Sequence, residues 1–111
     1  MNTKINVGLL LRVADQISKT PEQFEMNHWD CGTAACIGGW IDRIDPSVRT
    51  PSGKIGVSMS TSSELFHECM WPIEFQFLPG DSAEDRAEKA VRRIHSFLDE
   101  HAEGWRNEYK L

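Results

Sequence analysis

The residues best able to do chemistry are concentrated in one segment, Trp29 to Trp40, with the sequence Trp-Asp-Cys-Gly-Thr-Ala-Ala-Cys-Ile-Gly-Gly-Trp. Two Trp, two Cys and three Gly fall within these twelve residues, unlike the composition of the rest of the chain. Thiols act as nucleophiles or metal ligands, and indole rings stack on planar groups. We therefore take this segment as the centre of the candidate functional site.

A small-ligand or anion site is the first hypothesis for this segment. Thr33 is placed to cap a helix, which would leave the N–H groups of Thr33, Ala34 and Ala35 free at the positive end of the helix dipole. The rings of Trp29 and Trp40 are placed to stack on a planar group, as in a nucleotide-like ligand. The glycine pattern of a phosphate loop is missing. The predicted ligand-binding residues are Trp29, Thr33, Ala34, Ala35 and Trp40.

A cysteine-dependent hydrolase or transferase is the alternative. Cys36 or Cys31, near a helix start, would have a lowered thiol pKa and could attack an electrophile. The side chains available to act as base or to orient it are His67, His95, Asp30 and Glu68. The segment has only a passing likeness to papain-type helices, and local cysteine signatures do not transfer between families. We expect buried thiols that pack in the core, and no catalytic residue.

A zinc site is the third hypothesis. The available ligands are His28, Cys31, Cys36, His67 and Cys69. Their Cys-x4-Cys and His-x-Cys spacings differ from the two-residue spacing usual in zinc sites. His67 and Cys69 also fall two positions apart on a predicted helix, where they would face different ways. We therefore expect no metal and no cofactor.

The central motif resembles that of a family of small uncharacterised proteins from bacteria and their phages. The matching positions are Trp29, Cys31, Gly32, Thr33, Ala35, Cys36, Gly38, Gly39 and Trp40. Weaker matches flank them at Phe24, Met26, Leu65, Phe66, Trp71, Pro72, Ala90, Arg93, Ile94 and Phe97. The resemblance covers most of the chain and implies a shared fold and a bacterial or phage origin, with no established activity. Where such proteins tend to have another helix, this chain has a Ser- and Gly-rich stretch, residues 45–60.

Composition narrows the functional classes. The formal charge is −5 and the pI about 5.3, which argues against broad nucleic-acid binding because that mode needs clustered Lys and Arg. The apolar run near the start is too short for a signal peptide or a membrane span, so a cytoplasmic protein that does not bind membranes is expected. Three cysteines, an odd number, are expected to remain thiols in a reducing compartment.

Hydrophobic periodicity predicts a mainly α, single compact domain over residues 1–111, with about four main helices and irregular or short extended connections. The predicted helices cover residues 4–18, 34–44, 62–70 and about 83–102. The second should pack between the first and the last. Residues 45–60 are predicted as a loop with a short extended piece, and residues 73–77 as extended. Arg86, Lys89 and Arg93 form a basic stripe, expected to be a solvated face.

These observations favour a non-enzymatic binding module, a bacterial or phage accessory protein that holds a small ligand or a host protein. Interference with a host defence system is one setting for such a protein. Acidic side chains on the last helix would steer it toward a basic partner. The sequence carries no signal for an oligomeric state.

Overall fold

The computed structural model describes residues 5–26, 36–47 and 50–109. Within these ranges the chain is mainly α and has no strand, which confirms the predicted fold class. The α-helices are α1 (Val7–Lys19), α2 (Ile37–Ile44), α3 (Pro51–Ile55), α4 (Met59–Phe66), α5 (Ala83–His101) and α6 (Trp105–Tyr109). Short 3-10 turns lie at Pro21–Gln23, Glu68–Met70 and Ile73–Phe75. No described helix is both long and apolar enough to cross a membrane.

The core forms where α1 packs on α5. Each helix carries an apolar stripe at helical spacing, and both stripes are buried. The buried side chains of this interface include Leu10, Val13, Ile17, Ala90, Ile94, Phe97 and Leu98. The helix α2 contacts α1 on another side, through a face that includes Ile37 and Ile41. The predicted order of packing is therefore wrong, because α1 and not α2 is the central helix.

The start of α5 is defined by reciprocal hydrogen bonds between two residues. Ser82 Oγ accepts a hydrogen bond from the Asp85 N–H at 3.1 Å, and Asp85 Oδ2 accepts one from the Ser82 N–H at 3.1 Å. This reciprocal pair is a capping box, and it fixes the first residue of a 19-residue amphipathic helix. The sequence Asp81-Ser-Ala-Glu84 predicts a helix start here, and the structure places the capping box one residue later, at Ser82 and Asp85.

Residues 45–60 are not the predicted loop with an extended piece, because α3 forms within them. Thr50 Oγ1 accepts a hydrogen bond from the Gly53 N–H at 3.4 Å, and Pro51 occupies the first helical position. Gly56 ends the helix with a φ of 83°, which glycine adopts without steric cost. The Pro and Gly residues therefore mark the two ends of a short helix and do not exclude one.

The helix α4 and the segment after it also differ from the prediction. Ser58 caps α4 by accepting a hydrogen bond from the Thr61 N–H at 3.3 Å, so the helix starts at Met59, earlier than the predicted start at residue 62. It ends at Phe66, before the predicted end, and the 3-10 turn Glu68–Met70 follows. The predicted extended piece at 73–77 contains a second 3-10 turn, closed by the Phe75 N–H donating to the Pro72 carbonyl at 2.9 Å.

The basic stripe of α5 is not a solvated face. Arg93 is only 2% exposed. Arg86 Nη1 donates to the Asp81 carbonyl at 2.7 Å, and Lys89 Nζ lies 2.6 Å from Asp81 Oδ2 and 3.1 Å from the Gln76 carbonyl oxygen. These contacts hold residues 76–81 against α5. Arg93 also donates to the Glu64 carbonyl in the last turn of α4.

The chain end folds back in part. Trp105 is 2% exposed and donates from Nε1 to Asp99 Oδ1 at 2.8 Å. Tyr109 remains 42% exposed, at the end of α6. The core therefore includes the ring of Trp105 but not that of Tyr109.

Candidate functional site

Of the predicted ligand site, the structure describes Trp40 and the residues on either side of segment 27–35. Four of the five predicted ligand-binding residues lie outside the described ranges, namely Trp29, Thr33, Ala34 and Ala35. Met26 and Cys36 are the described residues directly before and after segment 27–35. Both line the same cavity.

The fifth predicted residue, Trp40, lies in α2 and is 7% exposed. The guanidinium carbon of Arg43 lies 4.8 Å from the centre of its ring, so a cation already covers one face. Its indole nitrogen is buried and has no hydrogen-bond partner among the described residues. Trp40 lines neither of the two cavities described below, and the structure places it in the core.

The start of α2 corrects the prediction of a helix that begins after Thr33. Cys36 has extended backbone angles, with φ −78° and ψ −177°, and the first helical residue is Ile37. The Trp40 N–H donates to the Cys36 carbonyl at 2.9 Å, as the first bond of the helix. The first turn of α2 therefore contains the amides that follow Cys36, while Thr33, Ala34 and Ala35 lie outside the described residues.

The thiol of Cys36 is held in its neutral form. Burial is the largest influence and raises its pKa, since a thiolate loses hydration inside the protein. The N–H groups of Gly38 and Gly39, at the start of α2, act in the opposite direction and are outweighed. With 4% of its surface exposed, Cys36 has the character of a packed thiol and not that of an activated nucleophile.

The first cavity, which we call the Cys36 cavity, has a volume of about 300 Å³ and lies between the start of α2, α3 and α4. Its walls are Met26, Cys36, Thr50, Pro51, Ser52, Met59, Ser62, Ser63, Phe66 and His67. Two of its hydroxyls are buried and already bonded: Ser62 Oγ donates to the Met59 carbonyl at 3.0 Å, and Ser52 Oγ lies 3.4 Å from Met59 Sδ. An apolar group is therefore the natural occupant.

The second cavity, which we call the Glu68 cavity, has a volume of about 560 Å³. It is lined by Glu25, Met26, Phe66, His67, Glu68, Cys69, Phe77 and Arg86. It shares Met26, Phe66 and His67 with the Cys36 cavity, so the two adjoin. Together they offer an apolar compartment next to a charged one.

The Glu68 carboxylate is fixed in position by the backbone of a neighbouring segment. Its Oε2 accepts a hydrogen bond from the Phe77 N–H at 3.1 Å. The Phe77 ring makes edge-to-face contacts with Phe24 and Trp71, with centroid separations of 6.2 and 5.5 Å. Since Phe24 and Trp71 are both buried, this wall of the cavity is built on the core.

The residues proposed for cysteine catalysis are only partly brought together. Cys36 and His67 line the same cavity, whereas Cys31 and Asp30 lie outside the described residues. His95 lies elsewhere, with its ring centroid 5.4 Å from that of Trp105. Burial, followed by the charge of Arg106, lowers the pKa of His95. The structure therefore places His67 on the same cavity as Cys36, whose thiol is not activated.

The prediction that His67 and Cys69 lie on one helix is wrong. His67 follows the last residue of α4 and Cys69 lies in a 3-10 turn, so they are not on one helix, and both line the Glu68 cavity. In the part of the chain that the structure describes, the residues close enough to share a metal ion are Glu64, Glu100 and His101. His28 and Cys31 lie outside it.

The sequence did not indicate several of the residues that line the two cavities. Residues 50–63 supply six of the ten described residues that line the Cys36 cavity, and the sequence pattern predicted a loop over most of that stretch. The signals that mark it were Thr50 before Pro51 and Ser58 three residues before Thr61, which are helix-start patterns. Glu68 was considered only as a partner of a catalytic histidine, because its contact with Phe77 depends on the turn between them.

Comparison with family models, with curated proteins and with solved structures gives no match to this chain. The resemblance of the central motif to small bacterial and phage proteins therefore stays a prediction.

Proposed function

We propose that this protein is a non-enzymatic binding module that holds a small molecule in the Cys36 cavity and the adjoining Glu68 cavity. The observation that carries the proposal is the pairing itself: an apolar compartment of about 300 Å³ opens beside a charged one. Ligand sites are typically mostly apolar, with a few polar groups that fix the orientation of the ligand. The Cys36 cavity would provide the apolar part of such a site and the Glu68 cavity the charged part.

The described residues next to segment 27–35 support the same site, and the sequence of the segment adds to this. The segment connects Met26 and Cys36, which both line the Cys36 cavity, and it contains Trp29, Thr33, Ala34 and Ala35. A ligand in this cavity would therefore contact the two described residues that precede and follow the segment singled out in the sequence.

The state of the thiol favours binding over catalysis. A cysteine nucleophile needs a low pKa and access to the substrate. Cys36 is 4% exposed, and burial raises its pKa. His67 lines the same cavity, which keeps cysteine catalysis as the enzymatic alternative. Alkylation of Cys36 at neutral pH as fast as that of a free thiol would favour that alternative.

The experiment is a small-molecule screen of the purified protein by thermal shift and native mass spectrometry, repeated on two variants. Ser63 lines the Cys36 cavity and is half-buried, so Ser63→Phe should fill it; Ser60 lies on the same helix, is exposed and does not line it. We expect a ligand that raises the melting temperature of the wild-type protein and of Ser60→Phe but not of Ser63→Phe. Ligands that bind all three proteins equally would contradict the proposed site.

A protein partner is the second candidate, and a host protein would fit a bacterial or phage accessory protein. Three large apolar side chains are exposed within one short segment: Met70 at 58%, Ile73 at 85% and Leu78 at 64%. Exposed apolar side chains in one region are typical of protein contacts. A partner captured by the wild-type protein and by Ser63→Phe, but lost with Ile73→Ser, would support this candidate.

A further inference from the structure

We propose that Glu64, Glu100 and His101 form a binding site for a divalent transition-metal ion such as Zn²⁺. Glu64 lies in the last turn of α4, and Glu100 and His101 are the last two residues of α5. None of the three lines the Cys36 cavity or the Glu68 cavity, so the inference does not depend on the proposed binding function. The zinc site considered from the sequence used other residues.

The three side chains bring their donor atoms together. His101 Nε2 lies 3.4 Å from Glu64 Oε1 and 3.7 Å from Glu100 Oε2. One donor atom from each residue lies within 4.8 Å of the other two. Zinc binds nitrogen and carboxylate oxygen at about 2.0–2.2 Å, so two ligands of a tetrahedral site are about 3.4 Å apart. Small rotations of the side chains would therefore let one ion contact all three donors.

Hydrogen bonds do not account for this approach. Among the described residues, His101 donates a hydrogen bond to neither carboxylate, and the Glu64 carboxylate accepts none. Two carboxylate oxygens and an imidazole nitrogen thus face one another, and all three atoms can share a lone pair with a cation. That cation is either a proton on His101, which would give an ion pair, or a metal ion. The proposal commits to the metal ion, and the experiment below separates the two.

The buried side chain of Arg93 supports the site from inside the protein. Arg93 Nη2 donates to the Glu64 carbonyl at 3.3 Å, and Nη1 lies 3.5 Å from Glu100 Oε1. The other oxygen of Glu100, Oε2, is the one near His101. Carboxylates that bind metal ions are typically held by hydrogen bonds from outer residues, which orient them. One guanidinium therefore positions the backbone of the first ligand residue and the carboxylate of the second.

The imidazole of His101 is also restrained. Its ring lies against that of Phe97, one helical turn earlier, with a centroid separation of 4.6 Å. Phe97 is fully buried, so this contact limits the rotation of the imidazole. The side chains of His101, Glu64 and Glu100 are each partly exposed. An ion can therefore reach them from solvent, and water can complete its coordination.

The chemistry of the donors selects the kind of ion. Imidazole nitrogen suits zinc and the neighbouring transition metals, whereas Mg²⁺ and Ca²⁺ are bound by oxygen ligands. One histidine with two carboxylates therefore favours a transition metal. A bound ion would join the last turn of α4 to the end of α5, beside the contact that Arg93 already makes between them. Binding should therefore stabilise the folded protein.

The test is a titration of the full-length protein, first stripped of metal with a chelator, with Zn²⁺ and with Co²⁺ near neutral pH. Calorimetry measures the affinity for Zn²⁺. The absorption spectrum of bound Co²⁺ identifies the ligands, because thiolate ligands give an intense charge-transfer band in the near ultraviolet, whereas nitrogen and oxygen ligands do not. We expect a single ion per chain, no thiolate band and a higher melting temperature with Zn²⁺. Mg²⁺ should not displace the ion.

Three variants locate the ion. His101→Gln and Glu64→Gln each remove one ligand, on different helices, and each should weaken Zn²⁺ binding at least about tenfold, the lower end of the loss caused by removing even an outer partner of a metal ligand. Glu88→Gln is the matched control, because Glu88 is an exposed carboxylate on α5 outside the cluster. It should bind Zn²⁺ like the wild type. Circular dichroism checks that each variant is folded.

Each of the remaining outcomes would overturn the metal site. Equal Zn²⁺ binding by all three variants and the wild type would place the ion elsewhere. A thiolate band in the Co²⁺ spectrum would assign the ion to cysteines. Absence of Zn²⁺ binding would leave His101 as an ion-pair partner of the two carboxylates. None of these results bears on the small-molecule site, which is tested separately with Ser63→Phe.

Discussion

Arg93 on α5 donates a hydrogen bond from Nη2 to the main-chain carbonyl of Glu64 on α4, over 3.3 Å. That carbonyl belongs to the last turn of α4, where helix carbonyls lack partners within the helix. Arg93 Nη1 also lies 3.3 Å from Ser96 Oγ and 3.5 Å from Glu100 Oε1. A buried guanidinium therefore joins α4, a wall of the Cys36 cavity, to the central helix pair.

Replacing Arg93 should destabilise the protein far more than replacing its neighbour. Arg93→Ala leaves a cavity in the core and an unpaired carbonyl on Glu64, and should lower the free energy of unfolding by about 2–4 kcal/mol. Arg92→Ala, on the exposed side of α5, should change it by no more than about 0.5 kcal/mol. Urea unfolding of both variants measures the difference. Equal losses of unfolding free energy would show that the hydrogen bond from Arg93 to Glu64 does not stabilise the fold.

Two buried tryptophans should respond differently to removal of their N–H group. Trp71 is 2% exposed and donates from Nε1 to the Leu65 carbonyl at 2.9 Å, so Trp71→Phe should lower the free energy of unfolding by at least about 1–2 kcal/mol. The Trp40 nitrogen has no partner among the described residues, so Trp40→Phe should have a smaller effect. Thermal unfolding checks the order. A larger loss for Trp40→Phe would point to a bond with segment 27–35.

The Asp81 carboxylate should make the fold sensitive to acid. Hydrogen bonds from the Leu78 N–H at 2.9 Å and from Lys89 Nζ at 2.6 Å lower its pKa in the folded state. A folded pKa below the unfolded value adds stability above the ordinary carboxyl pKa of about 3.9 and loses it as pH falls further. Asp81→Asn should therefore destabilise the protein at pH 7 more than at pH 3.

Urea unfolding at the two pH values measures this difference. Glu103→Gln, which alters an exposed carboxyl, is the control and should leave the pH dependence close to that of the wild type. An Asp81→Asn variant with the same loss of stability at both pH values would contradict the assignment.

Cys36 should react slowly with thiol reagents. Its burial both raises the pKa of the thiol and blocks access, whereas Cys69 is exposed. We expect alkylation by iodoacetamide at pH 7.5 to be at least about tenfold slower at Cys36, the factor given by about 1.4 kcal/mol of local opening. Peptide mapping by mass spectrometry follows each site, and equal rates would mean that the Cys36 cavity opens freely. A ligand in the cavity should slow Cys36 further without affecting Cys69.

The elements with long, regular patterns were predictable from the sequence. The apolar stripes of α1 and α5 contain enough turns to identify both helices and their buried faces, and Ser82 with Asp85 marks where α5 starts. Short helices carry little periodic signal. For α3 and α4 the information lay in single capping residues, Thr50 and Ser58, which are hard to distinguish from loop residues without the fold.

The candidate site depends on contacts between residues distant in sequence. Glu68 and Phe77 are nine residues apart, and Arg93 reaches back to Glu64 across 29 residues. No local pattern specifies these approaches. Arg93 shows the consequence, since its spacing with Arg86 and Lys89 is that of a charged surface stripe, yet the packing of α4 on α5 buries it.

The sequence by itself determined the mainly helical class, the faces of the long helices and the unusual composition of residues 29–40, because helix periodicity and residue chemistry are local properties. Only the tertiary structure decided that Cys36 is a buried neutral thiol, that Trp40 belongs to the core and that Glu68 lies beside Phe77 in a cavity. Burial, the pKa of a group and the shape of a cavity depend on which elements pack together. That packing is determined by contacts along the whole chain and not by a local pattern.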